Sequence, residues 1–471
     1  MAFVALLAGC SDVGRSASPS LSLGENTEET ATSGNDDAVV DESTTAPTGV
    51  DSQGASSNSV TTNDATQPDN ANDGAVSDGA ASEGAVTQNS ASEESVTPEA
   101  DDAATDSPTT TTATASTDTS SEPRSEQDLR IDELIAFVEA ERGHEFTERP
   151  SIELMDNAAF GQAWVEVIAE DVAVNGQDYI DYTSIYTAMG VIEGDRSLEE
   201  IWLRFGDAGV IGFYDTRSKA IKLRTGEFTA FTETVLVHEL VHALEDQVFG
   251  LNRPQYANGD DELEWTFSAL AEGSARRIET RFRATFTADQ LAEENAARQA
   301  IPRTVSLSEF NPSFLELQFG RYRFGEEFAT TVWNDSPETF DELFASPPIH
   351  SEAIIDPASF LNRSLDAQNI AAPPADGDVF ESGTWGQAGW AAVFADVVDR
   401  SEAEAAAQGW DGDSFVAWRQ SGETCVRAHL AADSADQLDD FADMLEDWAD
   451  QDGGREIFFP NADLIRVTAC G

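Results

Sequence analysis

Lysine is almost missing from this chain: Lys219 and Lys222 are the only two among 471 residues. With 26 basic residues against 89 acidic ones, the formal net charge is −63. A nucleic-acid duplex is itself a dense row of negative charge and would repel such a chain almost everywhere, so nucleic-acid binding is excluded as a function class. Long apolar runs are scarce as well. Only 40% of the residues are hydrophobic, which excludes a polytopic membrane protein. An acidic surface so poor in lysine suits a salty medium, where self-repulsion is screened.

Aromatic residues are absent from 11 to 126, where 23 acidic residues face only Arg15 and Arg124. A stretch without large apolar groups cannot bury a core. Its repeated Ser, Thr, Ala, Gly, Asp and Asn read as a disordered, self-repelling tether. As a flexible coil it spans about 60 Å. Nearly all the aromatics lie in 127–471, where 66 acidic residues remain against 24 basic ones. That segment is long enough for one large domain or two intimate lobes.

The first ten residues are Met-Ala-Phe-Val-Ala-Leu-Leu-Ala-Gly-Cys. A short apolar run, small residues and a Cys before polar sequence resemble a bacterial lipobox. The run is too short to span a bilayer. The resemblance implies a signal over 1–10, a lipid on Cys10, and an extracytoplasmic chain anchored to the bacterial cell membrane or cell surface. No basic residue precedes the run, so the true start is expected upstream. Cys425 and Cys470 have no metal-like spacing, and in an oxidising compartment they are expected to pair.

The stretch that carries chemistry is Thr234-Val-Leu-Val-His-Glu-Leu-Val-His-Ala-Leu-Glu-Asp246. Val237, Leu240, Val241, Leu244 and Val248 recur at helical spacing, which predicts an amphipathic helix ending near Gly250. His238 and His242 then lie one turn apart on another face, where two imidazoles reach one ion. Glu239 beside them reaches a water on that ion. Two of the chain's five histidines fall in this single turn.

With His238-Glu239-Leu240-Val241-His242 complete, the sequence resembles the zincin metallopeptidases. That resemblance implies one zinc ion and hydrolysis of protein or peptide substrates by metal-activated water, with Glu239 as general base. Metzincins place a third His shortly after the motif, and here none follows until His350. Gluzincins take a Glu from a second helix, and Trp265-Thr-Phe-Ser-Ala-Leu-Ala-Glu-Gly-Ser-Ala275 supplies Glu272 on a face shared with Ser268, Ala269 and Ala275. Glu279, Asp260, Asp261 and Glu264 are the alternatives, and an ion pair with Arg276 is the plain structural reading of Glu272. The window 205–285 is also similar to a little-characterised group of predicted bacterial zinc proteases, through His238 to Gln247.

Asp246, one turn past His242, is a candidate to hold an imidazole tautomer. Val210–Tyr214 and Ala220–Arg224 flank a polar turn and read as a hairpin, the place to look for a substrate-pairing strand edge. His350, Tyr256 and Tyr214 are candidates for stabilising an oxyanion, none placed by a motif. His144 and His429 read as surface or capping residues. Helices are expected at 131–141, 154–170, 198–205 and 434–449. The expected fold class is α+β: a zincin-like metalloprotease fold over 127–471 with a mainly helical C-terminal part and few strands besides the hairpin, preceded by a long disordered tether. An inactive zincin-fold surface binding or scaffold lipoprotein, and a metal hydrolase of a non-peptide bond, are the other readings.

Overall fold

The computed structural model describes residues 2–5, 124–225, 227–253, 256, 261–301 and 303–471. Cys10, and the tether apart from its last three residues, lie outside them. The helices are α1 (Glu126–Arg142), α2 (Asn157–Met189), α3 (Leu198–Asp207), α4 (Ala230–Val248), α5 (Asp261–Arg283), α6 (Ala288–Gln299), α7 (Pro312–Asp335), α8 (Pro337–Leu343), α9 (Ser351–Ile355), α10 (Pro357–Asn362), α11 (Gly386–Phe394), α12 (Arg400–Ala407) and α13 (Ala435–Asp450). The strands are β1 (Ala2–Ala5), β2 (Ser151–Met155), β3 (Gly212–Asp215), β4 (Ala220–Arg224), β5 (Asp378–Gly383), β6 (Trp410–Gln420), β7 (Glu423–Ala432), β8 (Arg455–Asn461) and β9 (Leu464–Cys470). The class is therefore α+β. None of the described helices is long and apolar enough to cross a membrane.

Local chemistry explains the boundaries. Ser125 and Asp128 form a reciprocal capping box, so α1 opens at Glu126, the last residue assigned to the tether. The helix expected from Leu154 starts later. Asp156 caps the amides of Ala158 and Ala159, which frees Ser151–Met155 to pair in parallel with β4. The expected hairpin forms as β3 and β4, with Asp215 opposite Ala220. This sheet has the order β1-β3-β4-β2, and Ala5 of β1 lies opposite Gly212.

The expectation of few strands besides the hairpin is corrected. From Asp378 onward the chain builds a five-stranded antiparallel sheet, order β5-β6-β7-β9-β8, on which only α11, α12 and α13 intervene as helices. Ser421 and Gly422, both at positive φ (56° and 94°), make the tight link between β6 and β7. In β9 the buried Ile465, Val467 and Ala469 alternate with outward residues, the period of a half-covered strand.

A disulfide joins Cys425 to Cys470 across paired positions of β7 and β9. Closing a loop with a sequence separation of 45 stabilises the chain by about 4 kcal/mol in the chain-entropy model. Replacing both cysteines by Ala is therefore expected to lower the urea midpoint of the C-terminal sheet clearly. An unchanged midpoint would contradict that role.

Candidate metal centre

Helix α4 is buried on nearly all sides. Val237, Leu240, Val241 and Leu244 pack with Ile221 and Leu223 of β4, Leu134 and Val138 of α1, and Ile278 of α5, each fully buried side chain contributing about 1.5–3 kcal/mol. His238, Glu239, His242 and Glu245 are equally buried. Polar groups sunk this deep need partners. Glu245 finds Arg142 of α1 at 2.7 Å and the Ser274 hydroxyl of α5 at 2.6 Å. Arg142 is enclosed by the rings of Phe249, Trp333, Phe340 and Phe344 and also holds Asp341 at 2.5 Å. This knot fixes α1, α4 and α5 around the site.

Helix α5 is pressed against α7 at two glycines. A Cβ on Gly273 would stand 2.0 Å from the carbonyl oxygen of Gly325, and one on Gly325 would stand 2.2 Å from that of Ala269. Only glycine allows this approach. It sets Glu272 opposite α4 and brings Tyr322 of α7 alongside.

His238, His242 and Glu272 offer one ligand atom each, all within 4.8 Å of one another. Glu272 Oε2 lies 3.1 Å from His238 Nε2 and 3.3 Å from His242 Nε2, and the two Nε2 atoms are 3.2 Å apart. A tetrahedral ion with bonds of about 2.0–2.1 Å has edges of about 3.3–3.4 Å, so the spacing suits three corners of a tetrahedron. The far nitrogen of His238 is engaged too, since Nδ1 faces Glu279 Oε2 at 3.2 Å. A carboxylate there calls for the proton on Nδ1 and leaves the Nε2 lone pair turned inward. Arg276 holds the other oxygen of Glu279 at 2.6 Å.

The electrostatics match that reading. Burial alone would lower the His238 pKa, yet hydrogen bonds to Glu272 and Glu279 push it up to about 10. Burial alone would raise Glu272, yet the two imidazoles bring it down to about 2. The raised His238 reports the carboxylates of Glu272 and Glu279 beside it, and the lowered Glu272 reports the two imidazoles turned toward it. The group could hold a metal ion.

Two further groups frame it. Glu239 is fully buried under β3: a Cβ on Gly212 would lie 2.7 Å from Leu223 and Val235 and 3.3 Å from Glu239 Oε1. Tyr322 donates its hydroxyl to Glu272 Oε1 at 3.1 Å, and its ring stacks on His238 with centroids 6.3 Å apart. Burial, with Glu272 and Glu239 adding to it, holds the Tyr322 hydroxyl well above its ordinary value, so it stays a donor.

Other expected residues go elsewhere. Asp246 is corrected: it holds no imidazole, but accepts from the Tyr214 hydroxyl at 2.6 Å, Lys219 at 2.5 Å and the Leu251 amide at 2.8 Å. Its carboxylate ties α4 to β3, the following turn and the loop after the helix. Glu279 backs His238 from outside the three ligands, and Glu264 lines a separate cavity. Asp261 is the first residue of α5, and Asp260 lies outside the described residues. Arg276 pairs with Glu279 and, at 3.5 Å, with Glu326. The Tyr214 hydroxyl is taken by Asp246, Tyr256 packs on Phe267, and His350 lies edge-on to Trp410. His144 binds Asp341 at 2.7 Å, and His429 Nδ1 is 3.1 Å from the carbonyl of Ala371.

Tyr322 and the backing role of Glu279 were not read from the sequence. Glu279 sits seven residues past Glu272, two turns along the same face, and that spacing was a usable signal. Tyr322, 50 residues past Glu272, had none. Replacing Glu279 by Gln is expected to weaken metal affinity about 10- to 100-fold in a chelator competition while the fold persists. Unchanged affinity would assign Glu279 to packing alone.

Among known families, the one described as a domain of unknown function (DUF8575) matches residues 376–469, the stretch holding most of the five-stranded sheet. No curated protein and no solved structure matches the chain.

Proposed function

We infer that this protein is a zinc-dependent peptidase with a zincin-like catalytic region. The observation that carries the reading is the convergence of His238, His242 and Glu272, three nitrogen and oxygen donors at tetrahedral spacing, with Glu239 on the same helix. Two imidazoles and one carboxylate form the donor set of a catalytic zinc site with one position left open. Zinc held there would supply Lewis acidity, lowering the pKa of a water and polarising a carbonyl.

The chain's own residues account for the remaining steps. Glu239, next to His238, takes the proton of the attacking water and later delivers it to the leaving amine. Tyr322 turns its one hydroxyl proton from Glu272 to the carbonyl oxygen as that oxygen gains negative charge. Glu279 and Arg276 keep His238 Nε2 directed inward. The edge of β3 pairs with extended chain: Ala2–Ala5 runs antiparallel along it, with Ala5 opposite Gly212, and Gly212 adjoins Glu239. A peptide substrate taking the place of Ala2–Ala5 along β3 would pass beside the general base.

With the lipobox-like 1–10 and the acidic tether, the reading extends to a lipid-anchored, extracytoplasmic enzyme. The test is incubation of the purified protein with an unstructured protein substrate, with and without 1,10-phenanthroline. Cleavage abolished by the chelator and restored by zinc supports the reading. Cleavage indifferent to the chelator would overturn it.

A further inference from the structure

The metal centre is closed in this structure. His238, Glu239 and His242 are fully buried, and Glu272 is only 3% exposed. An extended peptide reaches Glu239 only if an element packed around α4 and β3 moves. On one side β3 is held by β4, from Gly212 opposite Leu223 to Asp215 opposite Ala220. That side is fixed, because Ile221 and Leu223 of β4 are buried with the apolar residues of α4, and β2 pairs along the far edge of β4. On the other side lies β1, antiparallel, from Ala2 opposite Asp215 to Ala5 opposite Gly212. It also lies against α4, the helix of His238, Glu239 and His242.

With β1 in place, β3 has no free edge among the described residues. Yet β1 is an edge strand of four residues with one strand neighbour. Few ladder bonds offset the conformational freedom it gives up, and elements held this lightly open first. What it covers is the place an extended chain must take, since Gly212, opposite Ala5, adjoins Glu239. Because it belongs to the same chain, β1 competes for that edge at the high effective concentration of a tethered ligand. Ala2–Ala5 also precede Cys10, inside the segment that a lipobox-type cut removes.

We propose that Ala2–Ala5 is an intramolecular plug, which keeps the β3 edge and Glu239 shut until hydrolysis of the Gly9–Cys10 amide carries it away. In that hydrolysis, performed by a separate endopeptidase, water gives its hydroxyl to the Gly9 carbonyl and its proton to the Cys10 amine. The vacated edge then takes an extended peptide by strand addition. That plugging amounts to latency rests on the peptidase reading; the pairing of β1 and its displacement do not.

The test is calorimetric titration of the full chain with the blocked peptide acetyl-Ala-Phe-Val-Ala-amide, for the wild type and for Phe3→Pro combined with Val4→Pro. Neighbouring strand residues point their N–H groups to opposite sides, so one of the two prolines removes a bond to β3 whichever side each faces. The variant is expected to bind the peptide saturably, at least about tenfold tighter than the wild type, whose edge is filled. No saturable binding by the variant, or equal affinity of the two proteins, would overturn the plug. A variant that binds more tightly and yet cleaves no protein substrate upholds the plug and removes the peptidase reading. Should the variant fail to fold, native-state amide exchange of the wild type decides. The β3 amides that point at β1 should exchange at least about tenfold faster than those that point at β4, and equal protection would overturn the proposal.

Discussion

Glu239→Gln is expected to keep its metal and to lose peptide hydrolysis by a factor of about 10²–10⁴, the usual contribution of a positioned general base. Gln has nearly the shape of Glu and can stay under β3, where Gly212 leaves just enough room. What it lacks is a site to receive a proton. The metal ligands His238, His242 and Glu272 are untouched, so zinc content and melting temperature should match the wild type. Rates with an unstructured substrate, read beside metal content, separate this outcome from general damage. A variant that retained full activity would remove Glu239 from the mechanism. A protein inactive both before and after the substitution would favour the scaffold reading.

Gly273→Val should be at least as severe, by a physical route instead of a chemical one. The new Cβ would lie 2.0 Å from the carbonyl oxygen of Gly325, and both sides of that contact are backbone, so no side chain can swing away. The α5–α7 crossing must open. Overpacking of this kind costs about 3 kcal/mol, and it separates Glu272 on α5 from the Tyr322 hydroxyl on α7. Both stability and metal affinity are therefore expected to fall together. Gly161→Ala is the control, since no atom lies within 4 Å of its added Cβ in α2, and it should gain about 0.5–1 kcal/mol from helix propensity. Thermal melts and chelator competition on both variants check this. A Gly273→Val protein as stable as wild type would show that the crossing adapts.

The parts legible in the sequence are those whose determinants are local. The apolar stripe Val237, Leu240, Val241 and Leu244 specifies one buried face of α4, and that periodicity also places His238 and His242 one turn apart. Small residues around Glu272 announced a close helix approach. Gly273 and Gly325, the pair that makes it closest, became meaningful only with α7 in place. Asp246 shows the limit of spacing arguments: it is one turn past His242, but Tyr214, Lys219 and the Leu251 amide compete for its carboxylate and win. Tyr322 enters the site through a tertiary crossing that no local pattern encodes.

The C-terminal sheet was missed for another reason. Trp410, Phe415, Val416, Ala417 and Trp418 of β6 are all buried; covered on both faces, the strand shows no clean alternation of period two. The Ser421-Gly422 turn and the alternation in β9 were readable signals that the helical expectation overrode.

The most direct test of the account is the zinc content of the purified full-length chain beside that of His242→Ala, by elemental analysis after reconstitution. About one zinc per chain, lost in the variant, is the predicted result. A wild-type chain that takes up no zinc, or a variant that keeps it, would contradict the metal centre and with it the peptidase reading.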